Sequence, residues 1–293
     1  MTMMKKHTVL YSIIILLLFF CFPEVIISSS TSYYFRTLGI NDGLSQSTVN
    51  AILQDQKGFM WIGTKDGLNQ YDGQECRVFQ KENSSLGNNF ITALYEDCEG
   101  YIWVGTDAGV YIYNPVQEAF QFLDTEIASS GEKITRAVTW ITSDSQNNIW
   151  ISVDNQGLFC YNRGKKNLTK VVSCGKSGIA NVTHFWFYAG QLWIARYEDN
   201  LYVSKDNSSF NAFNDVDGED IFKGLVINSY VEGLHNCLYV GTSKGLMEIN
   251  LTSRKVRKLL DEYVRDICFR SDTDLWIGTE QGLYIYNIET DEC

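Results

Sequence analysis

From about residue 33 onward, apolar and polar positions alternate in short runs that are broken by polar turn residues. In the first such stretch, Thr48 to Leu53, Phe59 to Thr64, Leu68 to Tyr71 and Cys76 to Phe79 read as four strands, with Gln54 to Gly58 as a turn. Phe90 to Tyr95, Tyr101 to Thr106, Val110 to Tyr113 and Phe120 to Leu123 repeat the arrangement. A period of two, with Gly and Asp between runs, is the spacing of a pleated sheet covered on one side. No run carries the spacing of an amphipathic helix.

The runs also repeat in wording. MWIGTKDGLNQYDG returns as IWVGTDAGVYIYN, LYVGTSKGLMEIN and LWIGTEQGLYIYN. Aligned on their aromatic, the repeats place Trp61, Trp103, Trp150, Trp193, Tyr239 and Trp276 at steps of 42, 47, 43, 46 and 37 residues, a mean of 43. A period of about 40 to 45 residues with several short strands in each repeat is that of a β-propeller, one four-stranded antiparallel blade per repeat. The expectation is an all-β chain with six such blades, spanning residues 33–293.

Within the motif, Thr64 to Gly67 suits a tight hairpin whose glycine takes a positive φ. Gly63, Gly105, Gly241 and Gly278 fall inside strands, where the missing side chain lets a neighbouring blade come close. The motif aromatic is large enough to fill the wedge between sheets. Asp55, Asp97 and Asp144 stand six residues before it and precede turns, a place for bracing backbone. Blade four departs most, with LWIARYEDNLYV in place of the glycine turn, and blade three carries one extra residue in ISVDNQGLF.

The sixth repeat has three strands, ending at Tyr286, and YFRTL at Tyr34 to Leu38 resembles an outermost strand with nothing of its own to pair with. The expectation is that this N-terminal strand completes the last blade and fastens the ring.

The first residues are of another kind. Lys5 and Lys6 precede an apolar run from Val9 to Phe22, then Pro23 and a serine cluster, the layout of a secretory signal over residues 1–32. Bulky Phe20 before Cys21 argues against a lipid-attachment site. The remainder carries 22 Lys and Arg against 34 Asp and Glu, a surface that repels nucleic acid and anionic membranes. Its seven cysteines are odd in number, form no CxxC pair and sit mostly in apolar runs, which favours free thiols; Cys160 and Cys174 are the one pair placed to face each other across a hairpin.

Catalytic patterns are missing. His184 and His235 lie in different repeats without an HxH or HExxH pattern, and no GxSxG, GxxxxGK[ST] or GxGxxG motif occurs. No metal or cofactor site is expected, although acidic loops such as DVDGED, which is not a full EF-hand loop, leave room for extracellular calcium. The expectation is a protein without enzymatic activity. Ligand contacts are instead expected at the mouth formed by loops entering the innermost strands and by the hairpins after the motif strand. Asn89, Arg136, His184, Arg196, Tyr197 and Arg265 are the candidates, a mixed hydrogen-bonding set near Trp140, Trp186 and Asn181. Polar groups beside aromatic faces suit a sugar, and an arginine suits an acidic one.

Together, INDGLSQSTVNAILQDQKGFMWIGTKDGLNQYDG and its echoes closely resemble the two-component regulator propeller repeats of periplasmic sensor regions in Bacteroidetes hybrid two-component systems. That resemblance implies an exported, periplasmic propeller, normally seven-bladed, that senses oligosaccharides and acts on a distant kinase through a second copy of the receptor or its other domains. It leaves open a truncated sensor, a fragment and a free-standing six-bladed ring. Contact with a membrane is expected only through downstream segments or an uncleaved signal. A protein-interaction scaffold is the alternative, and a streptogramin-lyase-like enzyme, which needs histidine and a metal, a less favoured one.

Overall fold

The computed structural model describes residues 33–171, 182–206 and 209–293. It divides into two compact units, Met1–Thr37 and Leu38–Cys293. The proposed signal segment, Asn181 and Cys174 lie outside the described residues. In the first unit Tyr33 and Phe35 hold their rings 6.4 Å apart.

The second unit is a β-propeller. Five four-stranded antiparallel sheets and one three-stranded sheet follow one another along the chain, each ordered from its first strand at the axis to its last at the rim. The innermost strands are Val49–Gln54, Ile91–Glu96, Val138–Ser143, Val182–Tyr188, Ile227–Glu232 and Val264–Phe269. Each of the first five packs beside the innermost strand of the next blade.

The repeated residues hold the blades together as the alternation predicts. Trp61, Trp103, Trp150, Trp193 and Tyr239 are each at most 4% exposed and sit with apolar residues of their own and the following blade. Fully covering such a side chain stabilises the fold by roughly 1.5–3 kcal/mol. The strand glycines permit the close approach: a Cβ on Gly63 would lie 2.5 Å from Ile91 of the next blade, and one on Gly105 2.8 Å from Val138. Blade three has Ser152 at this position, and its hydroxyl donates to the Val182 carbonyl of blade four at 2.9 Å. Asn50 and Asn228 likewise donate to the Ile91 and Val264 carbonyls of the next blades, at 2.8 and 2.7 Å.

The hairpin after the motif strand also forms as expected. Gly67 has φ +127°, and the Thr64 hydroxyl donates to its carbonyl at 2.9 Å while accepting from the Asp66 amide. Thr106, Thr242 and Thr279 repeat the bond. The Gly67 amide then donates to Asn89 of blade two at 2.7 Å, so the turn fastens one blade to the next.

The closing strand does not form. Residues 34–38 belong to no strand, with Tyr34 97% exposed, and the sixth sheet keeps three strands. The rim edge of its last strand, Leu283–Asn287, is met instead by the chain's own C-terminal turn, where Asn287 and Glu292 bridge and Tyr286 bonds Asp291. Between blades six and one, the described residues leave both sheet faces open. Ile52 is 61% exposed although its counterparts are covered, and a Cβ on Gly278 would meet no atom of a following blade.

Candidate functional site: the mouth and the interblade clefts

Antiparallel pairing brings the start of each innermost strand beside the hairpin after the motif strand, as Val49 beside Thr64, so both gather at one mouth of the ring. Five of the six candidate residues belong to segments at this mouth, and each has its own surroundings. Asn89 is a brace: its Oδ1 accepts from the Lys81 amide at 2.9 Å and its amide donates to Asp66 and Glu82. Arg196 pairs with Asp199 at 2.8 Å and lies over Tyr202. Arg265 pairs with Glu280 at 2.6 Å and lies over Tyr263. Arg136 is exposed, and Tyr197 is 54% exposed.

His184 sits deeper, among aromatic rings near the axis. Its ring centroid is 4.6 Å from that of Trp140 of blade three. Tyr230 of blade five stacks on Trp186 at 4.2 Å and 16°, and Trp186 stacks on Trp193 at 6.0 Å and 11°. Burial lowers the imidazole pKa to about 4, against a weaker opposing effect of its bond to the Ile227 backbone. His184 is therefore neutral at physiological pH and serves packing more readily than proton transfer. Burial likewise raises the Tyr230 phenol, with Glu232 and Tyr95 adding to it.

The opposite strand ends carry clefts between neighbouring blades, which sequence reasoning missed. The cleft between blades one and two measures about 450 Å³, that between two and three about 680 Å³, and that between four and five about 800 Å³. In the first two, a braced aspartate forms part of the wall. Asp97 Oδ1 accepts from the Glu99 and Tyr101 amides at 2.9 and 3.1 Å, and Oδ2 accepts from the Trp103 indole at 2.7 Å. Asp55 with Trp61 and Asp144 with Trp150 repeat the arrangement at 2.8 and 2.9 Å. The aspartates are thus backbone braces, as their spacing predicts.

Ion pairs occupy these two clefts as well. Arg77 bonds Glu118 across the first at 2.8 Å, and Arg163 holds Asp97 and Glu99 in the second at 3.1 and 2.6 Å.

Blade four lacks the brace. Six residues before Trp193 stands Phe187, and the long turn has shrunk to Ala189 and Gly190, both at positive φ between paired Tyr188 and Gln191. A two-residue hairpin of this kind leaves no room for a side chain that caps the turn and reaches the indole. The Trp193 indole N–H is consequently buried without a hydrogen-bond partner among the described residues. The signal was present in the sequence, where Phe187 stands at the spacing that carries an aspartate in blades one to three.

Among the described residues, no three His, Cys, Asp or Glu side chains converge as a metal site. In DVDGED, Asp215 Oδ1 accepts from the Asp217 and Glu219 amides at 3.0 and 2.7 Å and so braces its own loop. Cys160 is a free thiol.

Blades of this construction, with clefts at one end and a polar mouth at the other, define a β-propeller. The sequence profile of the family "two component regulator propeller" matches residues 43–66, 85–108 and 258–281. The extracellular domain of a putative hybrid two-component system from B. thetaiotaomicron is 26% identical, with a TM-score of 0.74 over 89% of this chain and 36% of its own. Histidine kinase P4 of Formosa agariphila is 42% identical over 50 residues, 17% of this chain and 4% of the kinase. The chain thus spans a small part of either relative. A virginiamycin B lyase from Staphylococcus aureus, 12% identical over 83% of this chain and 85% of its own with a TM-score of 0.59, shares the fold.

Proposed function

We propose that this chain is the exported, ligand-sensing propeller of a hybrid histidine-kinase-type receptor, that it works in the periplasm, and that its ligands are oligosaccharides. The observation that carries the sensor reading is the likeness to a two-component ectodomain along 89% of the chain. Phosphotransfer belongs to other domains of such receptors, and the propeller itself acts without catalysis. The exposed mouth residues Arg136 and Tyr197 offer a cation and an aromatic face to a sugar. Asn89, Arg196 and Arg265 border the same mouth and contribute by exchanging their present partners for ligand hydroxyls.

Calorimetry of the protein against a panel of neutral and acidic glycans tests the reading. Binding that falls about fivefold or more in Arg136→Ala or Tyr197→Ala supports it, at the scale of one lost polar or stacking contact. Absence of heat with every glycan favours the second reading, a protein-interaction propeller. The exposed apolar residue Ile52 on the open face of blade one speaks for that alternative. Metal-dependent turnover of a cyclic peptide antibiotic would instead establish a lyase.

A further inference from the structure

The cleft between blades four and five differs from its two counterparts in size, in charge and in an unmet donor. It is the largest of the three, because the shortened turn at Ala189 and Gly190 withdraws the wall that the braced aspartate provides elsewhere.

Its charge is reversed. Four carboxylates face two cations in the first cleft, and three face two in the second. Here Lys205 and Arg254 face the single carboxylate of Asp206. In a chain of net charge −11 this is a local excess of positive charge. Arg254 lies 5.6 Å from the Phe213 ring and has no carboxylate partner among the described residues.

Its polar floor is unmet. Trp193, 3% exposed, lines the cleft with an indole N–H that no group among the described residues accepts. Such a buried donor costs roughly the desolvation of the group until an acceptor reaches it. Half-buried Tyr188, Val203 and Leu251 supply an apolar wall, backed by Trp193 and Phe213 with ring centroids 5.5 Å apart.

We propose that this cleft is a binding site for a carboxylate carried on a ring. The carboxylate pairs with Arg254 and Lys205 at the rim, the ring lies along Tyr188 and Leu251, and a small side-chain adjustment at the floor lets a ligand oxygen accept from the Trp193 indole. The shared chemistry fits a uronic sugar or an aromatic acid. The site is at the end of the ring opposite the mouth, and it stands whether or not the mouth binds glycans.

The test titrates the protein with glucuronate, phenylacetate and their neutral counterparts glucose and phenylethanol. Binding is followed by calorimetry and by the indole N–H resonances of its seven tryptophans, with Trp193→Phe identifying the relevant peak. The expected result is binding of at least one acid at least tenfold tighter than its neutral counterpart, with a downfield shift of the Trp193 resonance. Arg254→Gln should then weaken the acid about fivefold or more while leaving the other indole resonances in place. Preference for glucuronate or for phenylacetate identifies the source of the carboxylate. No binding, equal binding of acid and neutral compound, an unmoved Trp193 resonance, or full affinity in folded Arg254→Gln would each overturn the proposal.

Discussion

The Trp103 indole donates to Asp97 Oδ2 at 2.7 Å, and both side chains are no more than 2% exposed. The same carboxylate holds two turn amides and Arg163, so one side chain ties the motif aromatic to the turn and to the next blade. Asp97→Ala should leave those donors unmet and cost roughly 2–4 kcal/mol in denaturant unfolding, at the scale of several lost charge-assisted bonds.

Tryptophan replacement should separate braced from unbraced blades. Trp103→Phe strands a buried carboxylate oxygen and should destabilise by about 1–3 kcal/mol. Trp193→Phe removes a donor that has no partner among the described residues, so its loss of stability should be smaller by about 1 kcal/mol or more. Equal losses in paired urea titrations would contradict this account of the indoles.

The strand glycines give a second contrast. Gly63→Ala places a methyl 2.5 Å from Ile91 and should cost roughly 1–3 kcal/mol through overpacking, whereas Gly278→Ala faces the open side of blade six and should change stability by less than about 0.5 kcal/mol. Thermal unfolding of the two variants measures the difference.

The buried imidazole of His184 should make stability depend on pH. Its ordinary value of 6.5 applies to the unfolded chain, and burial lowers it to about 4 in the fold. Between those values the unfolded chain binds the proton and the folded chain does not, so stability is lost as pH falls from about 6.5 towards 4. The loss should reach about 1–3 kcal/mol. His184→Gln should flatten that part of the pH profile, as read from midpoints of urea unfolding at pH 7 and pH 5.

Cys160 and Cys98 should differ in reactivity. Burial, aided by the Asp144 carboxylate, pushes the Cys160 thiol up to about 11, so little thiolate exists at pH 8. Cys98 is exposed. Mass spectrometry after brief alkylation should find Cys98 modified well before Cys160.

Much of the fold was legible because each blade repeats the same local physics. The Trp61 wedge, the Gly63 approach and the Thr64 hairpin are written in a few adjacent residues, and their recurrence at a mean step of 43 residues states the architecture. The brace of Asp55, Asp97 and Asp144 was equally readable, since a carboxylate before a turn has few other uses. The closing strand was misread. Resemblance of Tyr34 to Leu38 to an outer strand measures β-propensity, and pairing depends on what occupies the edge, here the turn that joins Asn287 to Glu292. At the mouth, residue type alone did not reveal that Asn89, Arg196 and Arg265 already have partners from other segments.

The sequence by itself therefore determined the blades, their number in this chain and their internal turns, because those depend on contacts between residues close along the chain. Only the tertiary structure decided which faces remain open, which polar side chains are already engaged, and where cations outnumber carboxylates in a cleft. Those properties arise where Arg254 of one blade meets Phe213 of another, and such distances follow from how sheets pack around the axis rather than from any local pattern.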